Sequence, residues 1–70
     1  REKYSMWVPD IQRGKFHSKN LQKINLSLAK LQEAEFNEAN LEYANLYWAK
    51  LQGAKLRFTN LCNADITQEE

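Results

Sequence analysis

The sequence predicts an all-β solenoid, a chain wound into stacked coils of very short extended pieces. Three observations carry that expectation. A large apolar residue recurs at every fifth position from Phe16 to Ile66, through Leu21, Leu26, Leu31, Phe36, Leu41, Leu46, Leu51, Leu56 and Leu61. Two residues ahead of it runs a second series: Ala29, Ala34, Ala39, Ala44, Ala49, Ala54, Thr59 and Ala64. Outward residues then match at a spacing of 20, and a strict short period is the mark of a stacked repeat.

Each element follows from the spacing. A helix turns about 100° per residue, so a period of five advances ~140° net and the apolar positions would wander around the cylinder. The Ala, Leu, Glu and Lys content favours a helix on propensity alone, but period outweighs propensity. Ala29 and Leu31 are alternate residues and share one side of an extended piece. Ala34 follows after an odd interval, so a bend must restore the inward direction after each pair. The result is a succession of short sides and corners around an interior of Ala and Leu.

The number of sides per coil comes from the outward columns. Asn20, Asn40 and Asn60 align, as do Gln12, Gln32 and Gln52. Asn25, Asn45 and Asp65 form a third column, and Lys15, Glu35 and Lys55 a fourth of alternating charge. Phe16 falls over Phe36. Four sides of five residues therefore close one coil. Stacked at the sheet spacing of ~4.8 Å, such coils predict amide ladders between rungs and attraction between unlike charges.

The blocks from Ala29-Lys30-Leu31-Gln32-Glu33 to Ala64-Asp65-Ile66-Thr67-Gln68 resemble the pentapeptide repeat family. Its pattern is a small residue, Asp or Asn, Leu or Phe, then two variable residues. The resemblance covers residues 14–68, and it implies a right-handed quadrilateral β-helix of 20 residues per coil, here about 2.75 coils. Handedness comes from the resemblance alone. Residues 1–13 read as an N-terminal cap or linker, in which Tyr4, Met6, Trp7 and Val8 ahead of Pro9 are expected to form a lid over the first coil. Residues 69–70 are a tail, and Thr67-Gln68-Glu69-Glu70 supplies no apolar lid. A chain opening on Arg1 reads as a domain of a larger protein.

Some residues depart from the pattern. Lys19 takes an inward small-residue position and Ile24 puts a branched chain where Ala is usual. A buried unpaired Lys is costly, so the coil near residues 17–22 is expected to be distorted or open to solvent. Gly53 is the only glycine at the last position of a block, where Leu28, Tyr43, Trp48 and Phe58 also stand.

Composition excludes several functions. Ten basic and nine acidic residues give a net charge of +1 spread in both signs. This lacks the basic patch of a nucleic-acid binder. There is no signal peptide and no run of ~20 apolar residues to span a membrane. The lone Cys62 suits a reducing compartment, so the expected location is cytoplasmic. His17 aligns with Asn37 and Arg57 and away from Cys62, so no nucleophile and base are paired. Glu33, Glu35, Glu38 and Glu42 fall on different sides and read as solvated surface. Neither metal-ligand spacing nor a Gly-rich phosphate loop is present. The chain is expected to be no enzyme, with no catalytic, cofactor-binding or metal-binding residue and no small-molecule substrate.

One feature rises above this background. Tyr43, Tyr47 and Trp48, with Leu28 one coil before Trp48, lie outside the buried series and are expected to form one outward patch. Trp and Tyr are favoured interface anchors. The expected function is a protein-interaction or scaffold module whose patch meets a protein partner, a neighbouring domain or a second copy. The alternative is a purely structural spacer or capping β-helix. The resemblance also implies a further possibility, since some family members mimic duplex DNA and bind type II topoisomerases. That role needs a long acidic rod. At ~4.8 Å per coil this one reaches only ~13 Å, with the wrong sign of charge.

Overall fold

The computed structural model describes residues 7–70. Within them the backbone pairs with itself in parallel at a spacing of 20. Asp10 bridges Lys30, Lys15 bridges Glu35, Asn20 bridges Asn40 and Asn25 bridges Asn45. The next turn repeats the series, Lys30 with Lys50, Glu35 with Lys55, Asn40 with Asn60 and Asn45 with Asp65. Every bridge is a single residue pair, so the extended pieces are as short as the five-residue period demands. The chain is thus a β-helix whose first, second and third coils are residues 10–29, 30–49 and 50–69.

The coil begins earlier than the strict repeat suggests. Asp10 to Arg13, assigned above to the cap, form the first block. The amide of Ile11 donates to Lys30 C=O at 3.0 Å and that of Arg13 to Gln32 C=O at 2.9 Å. Ile11 extends the apolar series by one step, and Gly14 takes the small position ahead of Phe16. The expected lid falls only in part on described residues. Trp7 is 82 % exposed, Val8 and Pro9 are half-buried, and Tyr4 and Met6 lie outside the described residues. Pro9 instead supplies a carbonyl to the ladder, accepting from Lys30 N–H at 2.8 Å.

Corners are hydrogen-bonded turns. Ala44 N–H donates to Leu41 C=O at 3.0 Å, and the same closure recurs from Gly14 to Ile11 through Ala64 to Leu61. The third residue of each turn has positive φ, from 56° at Trp48 to 64° at Glu33 and Glu38, with Gly53 at 74°. A type II turn requires that backbone at its third position. Where an Asn or Asp precedes the inward residue, it commonly sets the turn up. The side-chain oxygens of Asn40, Asn45 and Asn60 each accept the amide two residues on, from Glu42, Tyr47 and Cys62 at 3.0 Å. Asn25 and Asp65 do the same for Ser27 and Thr67 at 3.1 Å. These are Asx turns. At Asn25, Asn40, Asn45 and Asn60 the side-chain oxygen is thus bonded within its own coil, where ladders between coils were expected.

Both inward series are buried in the middle of the stack. Leu31, Phe36, Leu41 and Leu46, with Ala29, Ala34, Ala39, Ala44 and Ala49, are at most 2 % exposed. Phe16 stacks on Phe36 with ring centroids 5.1 Å apart. Toward the ends burial falls, and Ile66 is 51 % exposed. Lys19 opens its corner to solvent without distorting it. Its side chain is exposed, while its amide donates to Phe16 C=O at 3.3 Å and its carbonyl accepts from Asn40 N–H at 2.9 Å. Thr59, in the small column, donates its hydroxyl to Phe36 C=O at 2.8 Å and so enters the interior satisfied.

Candidate protein-binding site

Two consecutive turns position the aromatic residues. The first carries Tyr43 at its positive-φ position, and the second carries Tyr47 and Trp48 side by side. A left-handed backbone turns the Cβ outward at a corner, so neither Tyr43 nor Trp48 can reach the core. They are 58 % and 39 % exposed, and Tyr47 is 41 % exposed. Tyr47 and Trp48 stack with centroids 5.4 Å apart and planes 7° from parallel. Leu28 lies one coil below, its amide donating to Tyr47 C=O at 2.8 Å, and is half-buried. Of the four residues, the structure therefore brings Tyr47, Trp48 and Leu28 together. Tyr43 stands on the preceding turn and stacks with neither ring. Asn45, between the two turns, fixes the Tyr47 amide and thereby the direction of the pair.

Phe58, 76 % exposed, occupies the equivalent turn position on another side, with the Arg57 guanidinium 5.4 Å from its ring centre. A depression of about 180 Å³ borders Trp48 and is lined by Lys50, Gln52, Gln68 and Glu69 among others. The Gln68 amide donates to Ala49 C=O at 3.1 Å, closing part of that end.

A second depression, about 390 Å³, lies in other columns, between Arg13, Lys15, Glu33, Glu35, Gly53 and Lys55. It exists because Gly53 has no side chain where its turn crosses the row. Its carboxylates are already engaged. Arg13 pairs with Glu33 at 3.0 Å, and Glu35 accepts from His17 and lies 3.9 Å from Lys55 Nζ. The His17 hydrogen bond holds the Glu35 carboxyl below its ordinary value, with partial burial opposing and Lys15 and Lys55 adding attraction. Column counting missed the His17 contact because the side chain reaches diagonally, two residues back in the next coil. At the other end, the Thr67 hydroxyl and then its amide hold Asp65 low.

Among the described residues no group of three or more His, Cys, Asp or Glu is placed to hold a metal ion, and no helix is long and apolar enough to cross a membrane. Cys62 is exposed, with the Asn63 amide 3.5 Å from its sulfur.

Residues 16–46 and 44–68 match the family profile described as pentapeptide repeats, in eight copies. The chain belongs to the pentapeptide repeat family. No curated protein and no solved structure matches it significantly. As a pentapeptide repeat protein it is a β-helix, and its pairing at a spacing of 20 accords with that family. Its variable positions, the two turn residues of each block, are where the aromatic pair stands.

Proposed function

We propose that this pentapeptide repeat protein is a non-enzymatic interaction module, folded as a right-handed quadrilateral β-helix within a larger cytoplasmic protein. Tyr47 and Trp48, with Leu28 beneath and Tyr43 on the adjoining turn, contact a protein partner, a neighbouring domain or a second copy. One observation carries the reading: a stacked aromatic pair keeps about two-fifths of its surface exposed, at 41 % and 39 %, on a turn adjoining another exposed tyrosine. Exposed aromatic clusters mark contact sites. A desolvated Trp anchor is worth ~2 kcal/mol or more of binding, roughly a thirtyfold change in affinity.

Trp48→Ala keeps the backbone amide, which donates to Thr67 C=O at 2.8 Å, so the coil remains intact. The expected outcome is an unchanged circular dichroism spectrum and a melting point within a few degrees of the parent. Self-association in sedimentation, or capture of the parent's partner, is then lost. Phe58→Ala, at the equivalent turn position, is the control and keeps association. Equal association in the Trp48→Ala variant and the parent overturns the reading and leaves the module a spacer.

A further inference from the structure

Divided at the coil boundaries, the charges are layered. The first coil carries Arg13, Lys15, Lys19 and Lys23 against Asp10, a net +3 with His17 neutral. The second carries Glu33, Glu35, Glu38 and Glu42 against Lys30, a net −3. The third carries Lys50, Lys55 and Arg57 against Asp65 and Glu69, a net +1. Wherever a column is charged in both of the first two coils, the signs are opposite: Asp10 with Lys30, Arg13 with Glu33, Lys15 with Glu35. Between the second and third coils Lys30 meets Lys50, a like pair.

Side-chain links differ in kind between the seams. Those to carboxylates gather at the first, while the second is also crossed by neutral bonds, from Arg57 N–H to Asn37 Oδ1 at 2.9 Å, from the Thr59 hydroxyl to Phe36 C=O and from the Gln68 amide to Ala49 C=O. Arg13 reaches Glu33, His17 reaches Glu35, and the Ser18 hydroxyl donates to Glu38 at 3.4 Å, all across the first seam. Across the second seam the one ion pair among the described residues is Lys55 with Glu35, at 3.9 Å. The backbone ladder is alike at both seams, and most apolar residues of the end coils are half-buried, although Leu26 and Ala29 of the first coil are buried. What distinguishes the first coil is that its side-chain links across the seam all run to carboxylates of the second.

We propose that the first coil is a releasable layer, latched onto the second by Glu33, Glu35 and Glu38, and that protonating these carboxylates opens this seam before the remaining coils unfold. On the first-coil side Glu33 and Glu35 face basic groups and Glu38 faces a hydroxyl. Glu33 faces Arg13 below and Gly53 above; Glu35 faces Lys15 and His17 below and Lys55 above; Glu38 faces Ser18 below, with Phe58 and its neighbour Arg57 above. Acid neutralises Glu35, whose His17 hydrogen bond and Lys15 attraction cross this seam, and leaves the cationic first coil held by its backbone ladder and apolar contacts alone. Glu35, held low in the folded state, gives the sign: its contribution is complete above the ordinary carboxylate range and is lost as pH falls through the lowered folded value. Release bares Leu31, Phe36, Leu41 and Leu46, now fully buried, along one face of the second coil.

Amide hydrogen exchange on the whole chain, expressed as protection factors, reads the seams separately. The amides of Ile11, Arg13, Phe16, Ser18, Leu21 and Lys23 report the first seam, and those of Leu31, Glu33, Phe36, Glu38, Leu41 and Tyr43 the second. Lowering pH from neutral to about 4 should reduce first-seam protection about tenfold more than second-seam protection, the scale expected for a few exposed pairs acting together. The Glu33→Gln/Glu35→Gln/Glu38→Gln variant should show that loss already at neutral pH, and Glu35→Gln alone a smaller one. Equal loss at both seams, or full first-seam protection in the triple variant at neutral pH, overturns the proposal.

Discussion

At the scale of single residues, this chain accepts backbone strain at nearly every corner. Ten residues with a Cβ occupy the left-handed region, among them Leu28, Tyr43, Trp48 and Phe58, where an L-residue is disfavoured by ~1–2 kcal/mol. The turn hydrogen bond and the coil above and below fix the position, so the side chain is free to vary. The two glycines answer different needs. At Gly53, φ is 74° and an added Cβ would sit 3.1 Å from Glu33 Cγ, a flexible surface group. At Gly14 the added Cβ would meet the Phe16 ring at 2.5 Å, and that ring is held by its stack on Phe36. Gly53→Ala should therefore cost ~1 kcal/mol and Gly14→Ala ~1–3 kcal/mol. Thermal melts decide between them, since 1 kcal/mol shifts the midpoint by ~4–8 °C in a domain of this size. A smaller loss at Gly14 would mean that the Phe16 ring swings aside. None of this was legible in the sequence, where Gly14 merely precedes a phenylalanine and His17 and Glu35 belong to different columns.

The structural element is the five-residue block: an inward small residue, a bridging residue, an inward Leu and a two-residue turn. Its period and phase were readable, since side-chain direction alternates along an extended piece and only a bend every five residues keeps both series inward. Ile11 was as readable as Phe16, but Pro9 in place of Ala hid its block. The role of Asn was not readable. A spacing of 20 aligns amides whether they bond upward or to their own turn, and only geometry tells the two apart. The structure puts the oxygen on the turn amide, so capping is a property of each block. Asn45→Ala should lose the bond to Tyr47 and cost ~1 kcal/mol. Lys50 stands at the same block position and over Lys30, its bridge partner of like charge. Lys50→Asn should gain a cap for the Gln52 amide and relieve that repulsion, stabilising by ~0.5–1 kcal/mol. Denaturant unfolding of both variants checks the pair, and destabilisation by Lys50→Asn would show that the caps do not transfer between blocks.

For the whole molecule, stability rests on the middle coil, which holds the fully buried residues from Leu31 to Ala49, while each end coil has a neighbour on one side. In a stacked repeat every added coil contributes another interface, so duplicating residues 30–49 should raise stability if packing alone mattered. The inserted length equals one coil, which keeps the Leu and Ala columns in phase. It also lays Glu33, Glu35 and Glu38 over copies of themselves, one net −3 layer upon another. Like charges facing across paired backbones repel, and salt screens exposed charges within about 10 Å at 0.1 M. Two insertions then separate packing from charge. The duplicate of 30–49 should melt low in dilute buffer and rise steeply with added salt. Inserting a second copy of 10–49 instead places +3 against −3 at each new seam, and its melting point should exceed the parent's in dilute buffer. Scanning calorimetry of both at low and high ionic strength is the measurement. A single-coil duplicate that gains stability without salt would mean that apolar stacking sets the order of coils and that the layered charges are incidental to it.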